Sequence, residues 1–360
     1  MRDKKKILVA LSGGVDSAVS AALLKKQGFD VFGVFFRFFE GPGAKKSMAN
    51  AKKVAQALEI PLEIIDARSL FKKKVIKYFV DSYKKGTTPN PCVYCNKEMK
   101  FRLLFEEMKN HKAEYIATGH YARIKRKTQN AKRKTQNEKK SRVASYALRE
   151  ASDKTKDQSY FLYRFSQKEL SKIIFPLGEY RKTDIKKIAK KMGLPVAKEE
   201  SQDICFLLDK DINRFLRKYI KPKSGNIVDE KRKILAKHQG LPFYTIGQRR
   251  GIEIGGTGPY FVIGKNGRKN ELIVSNDPKK LLVKNFEINR VNWVNRGVKF
   301  RLSAKVQIRY HAEKVSVIIE SGKSGKYIVK TKKVLRAVTP GQSAVFYKGG
   351  EVLGGGIITN

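Results

Sequence analysis

The chain opens with an apolar run, Ile7–Leu11, that breaks at Ser12-Gly13-Gly14. From Ser17 it passes into Ala18–Lys26, where apolar positions recur at helical spacing. That order predicts a short buried strand, a small-residue loop and a helix start. The pattern then alternates. Strands are predicted at Val31–Phe36, Leu62–Ile65 and Tyr115–Ala117, the last ending at Thr118-Gly119-His120-Tyr121. Helices are predicted at Ala49–Leu58, Leu70–Tyr83 and Lys97–Met108, then at Leu170–Ile174 and Ile185–Met192. Such alternation predicts an α/β fold, a parallel sheet covered by helices on both faces. Ligands of such sheets sit outside the carboxyl ends of the strands. The loop at 12–17, the stretch after Phe36 and Thr118–Tyr121 all fall there.

Downstream the periodicity changes. From residue 208 the Gly, Pro and Lys content rises, and residues 240–283 carry short β-like runs. After Asn285 apolar and polar positions alternate in Phe286–Val291, Lys305–Arg309, Val315–Ile319 and Ala344–Tyr347, which predicts a small β-barrel. A chain of 360 residues is too long for one core. The shifts divide it into 1–207, 208–284 and 285–360. Residues 123–142 stand apart: Lys-Arg-Lys-Thr-Gln-Asn occurs at 125–130 and again at 132–137. This reads as a duplicated, flexible hairpin tip or loop, either a tolerated surface insertion or a direct nucleic-acid contact.

Composition narrows the class. Hydrophobic residues make up 41% of the chain, enough for real cores, so a disordered chain is excluded. No apolar run approaches membrane-spanning length, so no membrane association is expected. The start, Met-Arg-Asp-Lys-Lys-Lys, runs straight into a strand without the apolar region of a signal peptide, and the expected location is cytoplasmic. Three cysteines fit a reducing compartment. Seventy-eight Lys and Arg face thirty-three acids, a net charge of +45. Such a field attracts a polyanion, and nucleic acid is the expected partner beside a general lysine bias.

The chemistry is concentrated in few places. Glycines let backbone N–H groups approach a phosphate, and a helix N-terminus adds free donors and a favourable dipole. The loop Ser12–Ser17 supplies both, and Asp16 is placed to hold a magnesium ion against the same phosphates. Neither a Walker ending nor a GxGxxG follows the strand. Cys92 and Cys95 lie in Thr88-Pro89-Asn90-Pro91-Cys92-Val93-Tyr94-Cys95, read as a loop before a helix start, where a thiol pKa is depressed. Cys205 is more than a hundred residues away in a second loop-like stretch. A thiolate with a distant partner suits sulfur transfer. Half a zinc site, an iron–sulfur cluster with one open iron and inert thiols are the other readings.

Ser-Gly-Gly-x-Asp-Ser after a first strand resembles the pyrophosphatase loop of enzymes that cleave ATP to AMP and pyrophosphate. Ala10–Ser17, Thr88–Phe101, Thr118–Tyr121, Lys156–Tyr160, Ser201–Phe206, Gly240–Gly251, Arg309–Tyr310 and Thr339–Gln342 together resemble, in order and spacing, the tRNA-specific 2-thiouridylases over nearly the whole chain. The resemblance implies an ATP-pyrophosphatase domain (1–207), a central tRNA-binding domain (208–284) and a C-terminal β-barrel (285–360). It implies that the 2-oxygen of a wobble uridine, in a tRNA anticodon loop, is adenylated and replaced by persulfide sulfur from a donor or carrier protein.

By motif, Ala10, Leu11, Ser12, Gly13, Gly14, Val15, Asp16 and Ser17 would bind the ATP phosphates, with Phe36 and Gly119 near the adenosine. Cys95 would be the nucleophile and Cys205 the persulfide carrier. Asn90, Pro91 and Cys92 would face the base, and His120, Lys156, Asp157, Gln158, Arg309, Tyr310 and Gln342 would contact tRNA. Three departures stand out. Position 92 is Asp in part of the family and Cys here, acids expected near Ser47 and Asn50 are missing, and Phe36 stands where Met is frequent. Alternatives are a thiolase whose iron–sulfur cluster uses Cys92, Cys95 and Cys205, another ATP-pyrophosphatase ligase, and a non-catalytic tRNA-binding protein.

Overall fold

The computed structural model describes residues 4–130, 142–195, 204–207, 211–255, 258–295 and 301–359. The first segment runs β1 (Lys6–Ala10), α1 (Val15–Lys26), β2 (Asp30–Arg37), α2 (Pro42–Ala57), β3 (Leu62–Asp66), α3 (Arg68–Phe71) and α4 (Lys77–Lys84). It continues through α5 (Pro91–Cys95), α6 (Phe101–Asn110), β4 (Tyr115–Ala117), the hairpin β5 (Ala122–Asn130) and β6 (Arg142–Glu150), α7 (Gln167–Leu170), β7 (Ile173–Ile174) and α8 (Lys182–Lys191). The sheet order is β3-β2-β1-β4-β7, every neighbouring pair parallel. Strand order reverses between β1 and β4, so the crevice at their carboxyl ends is the topological switch point. Ile7, Leu8 and Val9 of β1 are fully buried, because the central strand has apolar layers on both faces. One layer packs α1, α2 and α8 and the other carries α6 with Tyr160, Tyr163 and Phe165.

Two expectations are corrected here. Leu170–Ile174 is not one helix. A capping box between Ser166 and Glu169 starts the single turn α7, and the β-branched pair Ile173-Ile174 then pairs with β4 as the edge strand. Cys92 and Cys95 are not in a loop ahead of a helix. The Asn90 side chain accepts the Val93 N–H at 3.2 Å with Pro91 in the first turn, so the helix begins at Pro91 and both cysteines lie inside it. Asn-Pro is a legible helix start, an N-cap followed by the one residue that needs no donor. A π-helical turn, Asn96–Lys100, joins α5 to α6.

The middle segment holds α9 (Ile212–Arg217) and the strands β8 (Gly225–Val228), β9 (Ile234–His238), β10 (Phe261–Asn266) and β11 (Glu271–Ser275), in the order β10-β11-β8-β9. Its apolar side shares one core with Phe71, Phe79, Cys95 and Phe206. The last segment is a barrel of β12 (Leu282–Trp293), β13 (Arg301–Gln307), β14 (Val315–Ser321), β15 (Tyr327–Arg336), β16 (Ser343–Lys348) and β17 (Glu351–Ile358). Its order is β12-β15-β14-β13-β16-β17, and β12–β17 pairing closes it. Gly354-Gly355-Gly356 conceals β17 from propensity. A Cβ at Gly355 would stand 2.8 Å from the Tyr163 ring, so the glycines admit close packing between the barrel and the first segment.

The hairpin β5–β6 joins the edge of the barrel sheet at β17, with Arg149 opposite Glu351. Residues 125–130, the first copy of the basic repeat, are therefore strand rather than loop, and the second copy lies outside the described residues. Among the described residues no helix is long and apolar enough to cross a membrane.

Candidate active site

The crevice at the switch point is built by the loop after β1. Ser17 Oγ donates to the Gly14 carbonyl at 3.0 Å, lies 3.1 Å from Ser12 Oγ, and accepts the Ser12 N–H at 3.1 Å. These three contacts close the loop on itself. Gly13 adopts φ 77, and a Cβ there would come 2.2 Å from the Ser47 carbonyl of α2. Only glycine fits. Gly14 caps α1 without a side-chain bond, which leaves the first amides of a twelve-residue helix free for an anion. Ala10, Leu11 and Val15 frame this loop, and Leu11 is buried. Gly119, in the loop after β4, closes the opposite wall: a Cβ there would stand 2.9 Å from the Ser17 nitrogen. Phe36, next to last in β2, is stacked on Phe38 at 5.8 Å.

Asp16 carries two partners that sequence reasoning missed. Lys182 Nζ, at the start of α8, lies 2.6 and 2.7 Å from its carboxylate oxygens, and the Tyr121 hydroxyl donates at 2.8 Å. The Lys182 side chain is 12% exposed and Asp16 33%. No signal in one sequence pairs these residues. A magnesium ion held mainly by phosphate oxygens and waters would share the Asp16 carboxylate with Lys182 and Tyr121.

Cys92 and Cys205 both lie near enough to Cys95 to act on its charge. Cys95 is buried, Cys92 half-buried and Cys205 exposed. Burial pushes the Cys95 thiol up to about 12, and nearby Cys205 and Cys92 raise it further, against the Lys100 charge and a hydrogen bond from the Lys100 backbone. The expectation of a depressed thiol is corrected: desolvation outweighs the helix terminus. Cys205, although at the surface, is also raised by the protein packed around it, again opposed by Lys100. Lys100 is thus the cation facing both sulfurs, another residue not singled out from sequence. The next residue after Cys205, Phe206, inserts its ring among Phe71, Phe79 and Phe215 at centroid distances of 5.8, 5.3 and 5.2 Å. Ser201, Gln202 and Asp203 of the same motif lie outside the described residues.

The remaining candidates divide. His120 Nδ1 lies 2.7 Å from the Thr118 hydroxyl, and its ring packs near Phe101 and Phe175. Burial, with Lys100 nearby, lowers its pKa to about 3, so it is neutral near pH 7. Asp157 is 8% exposed and accepts from the Ala151 N–H, the Ser159 N–H and the Ser159 hydroxyl; it holds its own loop rather than facing outward. Gln158 accepts from the Tyr121 N–H at 3.0 Å, tying that loop to the nucleotide crevice, and Lys156 is half-buried beside it. In the barrel, Arg309 is exposed and donates to the Arg336 carbonyl at 2.9 Å, while Tyr310 packs at a tilt against Phe161, ring centroids 4.5 Å apart. Gln342 reaches the strap that precedes α5: its Nε2 donates to the Thr88 and Pro89 carbonyls at 3.0 and 3.2 Å.

Among the described residues, the metal-ligand group that closes within 4.8 Å is Glu63, Glu107 and His111, and it contains no cysteine. The three thiols therefore do not form a compact zinc-type set.

A parallel sheet with a glycine loop at its switch point, followed by two β-rich segments, is the architecture of an ATP-pyrophosphatase-type protein. Family models match in the same order: tRNA methyl transferase HUP domain at residues 5–209, tRNA methyl transferase PRC-barrel domain at 213–276 and aminomethyltransferase β-barrel domain at 283–358. The chain is 38% identical to the tRNA-specific 2-thiouridylase MnmA of Carboxydothermus hydrogenoformans, over 99% of this chain and 98% of that one. It is 41% identical to the MnmA of Nostoc punctiforme, over 98% and 99%. The chain belongs to the tRNA-specific 2-thiouridylase family.

Proposed function

We propose that the protein is an ATP-dependent tRNA-uridine 2-sulfurtransferase that thiolates the wobble base. The observation that carries this is the pairing, in one chain of the 2-thiouridylase family, of a preformed phosphate loop with Cys95 and a Cys205 near enough to act on its charge. The 2-oxygen of uridine is a poor leaving group. Its attack on the ATP α-phosphate expels pyrophosphate and makes AMP the leaving group. The free amides of α1 and Lys182 face the departing pyrophosphate, where preorganised donors act most strongly. Asp16 would hold magnesium, which supplies charge neutralisation on the phosphates.

The terminal sulfur of a Cys205 persulfide then attacks C2 and AMP leaves. Cys95 attacks Cys205 Sγ, which breaks the sulfur–sulfur bond to the base, forms a Cys95–Cys205 disulfide and frees 2-thiouridine. An external thiol reduces the disulfide. Cys95 must lose its proton to act, because burial keeps it a thiol at neutral pH. The sulfur comes from a persulfide donor or carrier protein, to which exposed Cys205 is accessible. Lys156, Gln158, Arg309 and Tyr310 would meet the anticodon arm, His120 would act there as a neutral hydrogen-bonding ring, and Asn90, Pro91 and Cys92 would face the everted base. The reaction is cytoplasmic, where tRNA, ATP and reductant coexist.

The test is nucleoside mass spectrometry of unthiolated tRNA incubated anaerobically with the protein, Mg-ATP and a sulfur source. A 2-thiouridine peak that vanishes in Cys95→Ser is expected. No peak and no tRNA-dependent pyrophosphate release would overturn the reading. A second reading is a cluster held by all three cysteines: Cys92 and Cys205 both act on the Cys95 charge, although the three sulfurs do not close within 4.8 Å of one another. Full activity in iron-free protein overturns that one.

A further inference from the structure

The strap Thr87–Asn90 runs into α5 and leads to the residues proposed to face the base, yet it belongs to no sheet or helix of its own segment. Thr87 is tied back to its own segment, its N–H and hydroxyl both donating to the Ser82 carbonyl at 3.0 Å, but from Thr88 onward the backbone is held from the barrel. The Thr88 N–H donates to the Pro340 carbonyl at 2.8 Å. The Gln342 carboxamide spends its NH2 group on two successive carbonyls, Thr88 at 3.0 Å and Pro89 at 3.2 Å. Gly341, at φ 94, sits so close that a Cβ would stand 2.8 Å from the Thr88 carbonyl oxygen. Next along, the Ser343 carbonyl accepts from the Tyr160 hydroxyl at 2.8 Å, and the same Tyr160 hydrogen-bonds the Asn90 side chain that caps α5. The middle segment adds one tie, Thr245 Oγ1 to Thr88 Oγ1 at 3.1 Å.

The chemistry of the strap explains why a barrel residue is needed. Pro89 and Pro91 have no N–H, so neighbouring backbone groups cannot close a turn in the usual way. The Thr88 and Pro89 carbonyls point out of their own segment, and a half-buried carbonyl left without a donor is costly. A primary amide offers two donors on one nitrogen, which suits two adjacent carbonyls. A carboxylate of the same shape offers none.

We propose that Gln342 is a positioning residue: by holding the Thr88 and Pro89 carbonyls, the barrel sets where Asn90, Cys92 and Cys95 stand toward the base. The inference rests on the thiolation reading. It gives the barrel a role in the chemical step itself, because tRNA seated on the barrel is then registered against the same strap that aims the cysteine helix. It also departs from the role that family resemblance gives Gln342, a contact to tRNA.

The two roles separate in kinetics. Gln342→Glu keeps the size and replaces two donors by oxygens facing two carbonyls. Gly341→Ala presses on Thr88 without altering any side chain that could reach RNA, and Gln342→Ala is the milder control should either variant fold poorly. In the full-length protein, thiolation at saturating tRNA should fall on the order of 10- to 100-fold in both Gln342→Glu and Gly341→Ala, the cost of a displaced reacting group. The tRNA Kd and the Mg-ATP Kd should stay at wild-type values. Iodoacetamide should alkylate Cys92 faster in both, whether or not the reaction is running. A raised tRNA Kd with full turnover at saturation would overturn the inference in favour of an RNA contact. Wild-type turnover together with wild-type alkylation in the variants would overturn it outright. Absence of 2-thiouridine from the wild-type protein would instead overturn the function on which it rests, while the alkylation rates still decide whether Gln342 positions the strap.

Discussion

The Lys182 ammonium bridges both oxygens of the Asp16 carboxylate, 2.6 and 2.7 Å away and 166 residues apart in sequence. It brings the N-terminus of α8 to the mouth of the phosphate loop, with the Tyr121 hydroxyl as the third member. On the proposed mechanism the pair holds a cation on the side where pyrophosphate leaves, and the two contacts fix the Asp16 carboxylate. Lys182→Met should lower tRNA-dependent pyrophosphate release on the order of 100-fold, the usual cost of one preorganised charge-stabilising donor. Asp16→Asn should do the same while leaving tRNA affinity intact. Pyrophosphate release at wild-type rate in Lys182→Met would show that the lysine only anchors α8.

Cys95 should behave as a buried thiol. With its pKa pushed up to about 12, the thiolate fraction rises tenfold per pH unit through the whole range from 7 to 11. Alkylation of Cys95, followed by mass spectrometry, should climb without a plateau over that range. The linkage has a definite sign. An unfolded thiol ionises near 8.5 and the folded one does not, so between about 9 and 12 the folded state binds the extra proton and stability falls as pH rises. Cys95→Ser should flatten that part of the stability profile. A plateau in alkylation near pH 8 would mean that the helix terminus and Lys100 outweigh burial.

Phe206 anchors the segment that carries Cys205. Its ring meets Phe71, Phe79 and Phe215, and shares their core with Cys95. Phe206→Ala should destabilise that core by on the order of 3 kcal/mol and free the adjacent cysteine. The thiol–disulfide equilibrium of Cys95 with Cys205, titrated against glutathione, should shift toward the dithiol, and Phe206→Tyr should restore much of the pairing. Nucleotide binding should be unaffected. An unchanged equilibrium in Phe206→Ala would mean that the ring serves the core alone.

The hairpin β5–β6 extends the barrel sheet and carries the first copy of the basic repeat on β5. Replacing residues 131–141 by a short turn removes Lys132, Arg133, Lys134, Lys139 and Lys140. The salt dependence of tRNA binding should become shallower, by about 0.7–0.9 in logarithmic slope for each phosphate that is no longer neutralised. Adenylation with saturating tRNA should survive. An unaltered slope would mark the repeat as an insertion that RNA does not touch.

Local sequence carried much of this protein. The apolar run Ile7–Leu11 and the glycines after it are a strand and a turn because hydrophobic pattern and φ preference act over a few residues. Net charge is a sum over the chain, so an anionic partner was legible without any fold. Tertiary structure decided what depends on packing. It showed that the cysteine segment is a helix closed by Asn90, that burial raises Cys95 instead of the helix terminus lowering it, and that Asp157 is an internal support. It paired Asp16 with Lys182, and it brought Gln342 of the barrel onto the Thr88 strap 254 residues away. Neither propensity nor spacing encodes such meetings, since desolvation and long-range hydrogen bonds exist only once the segments are docked.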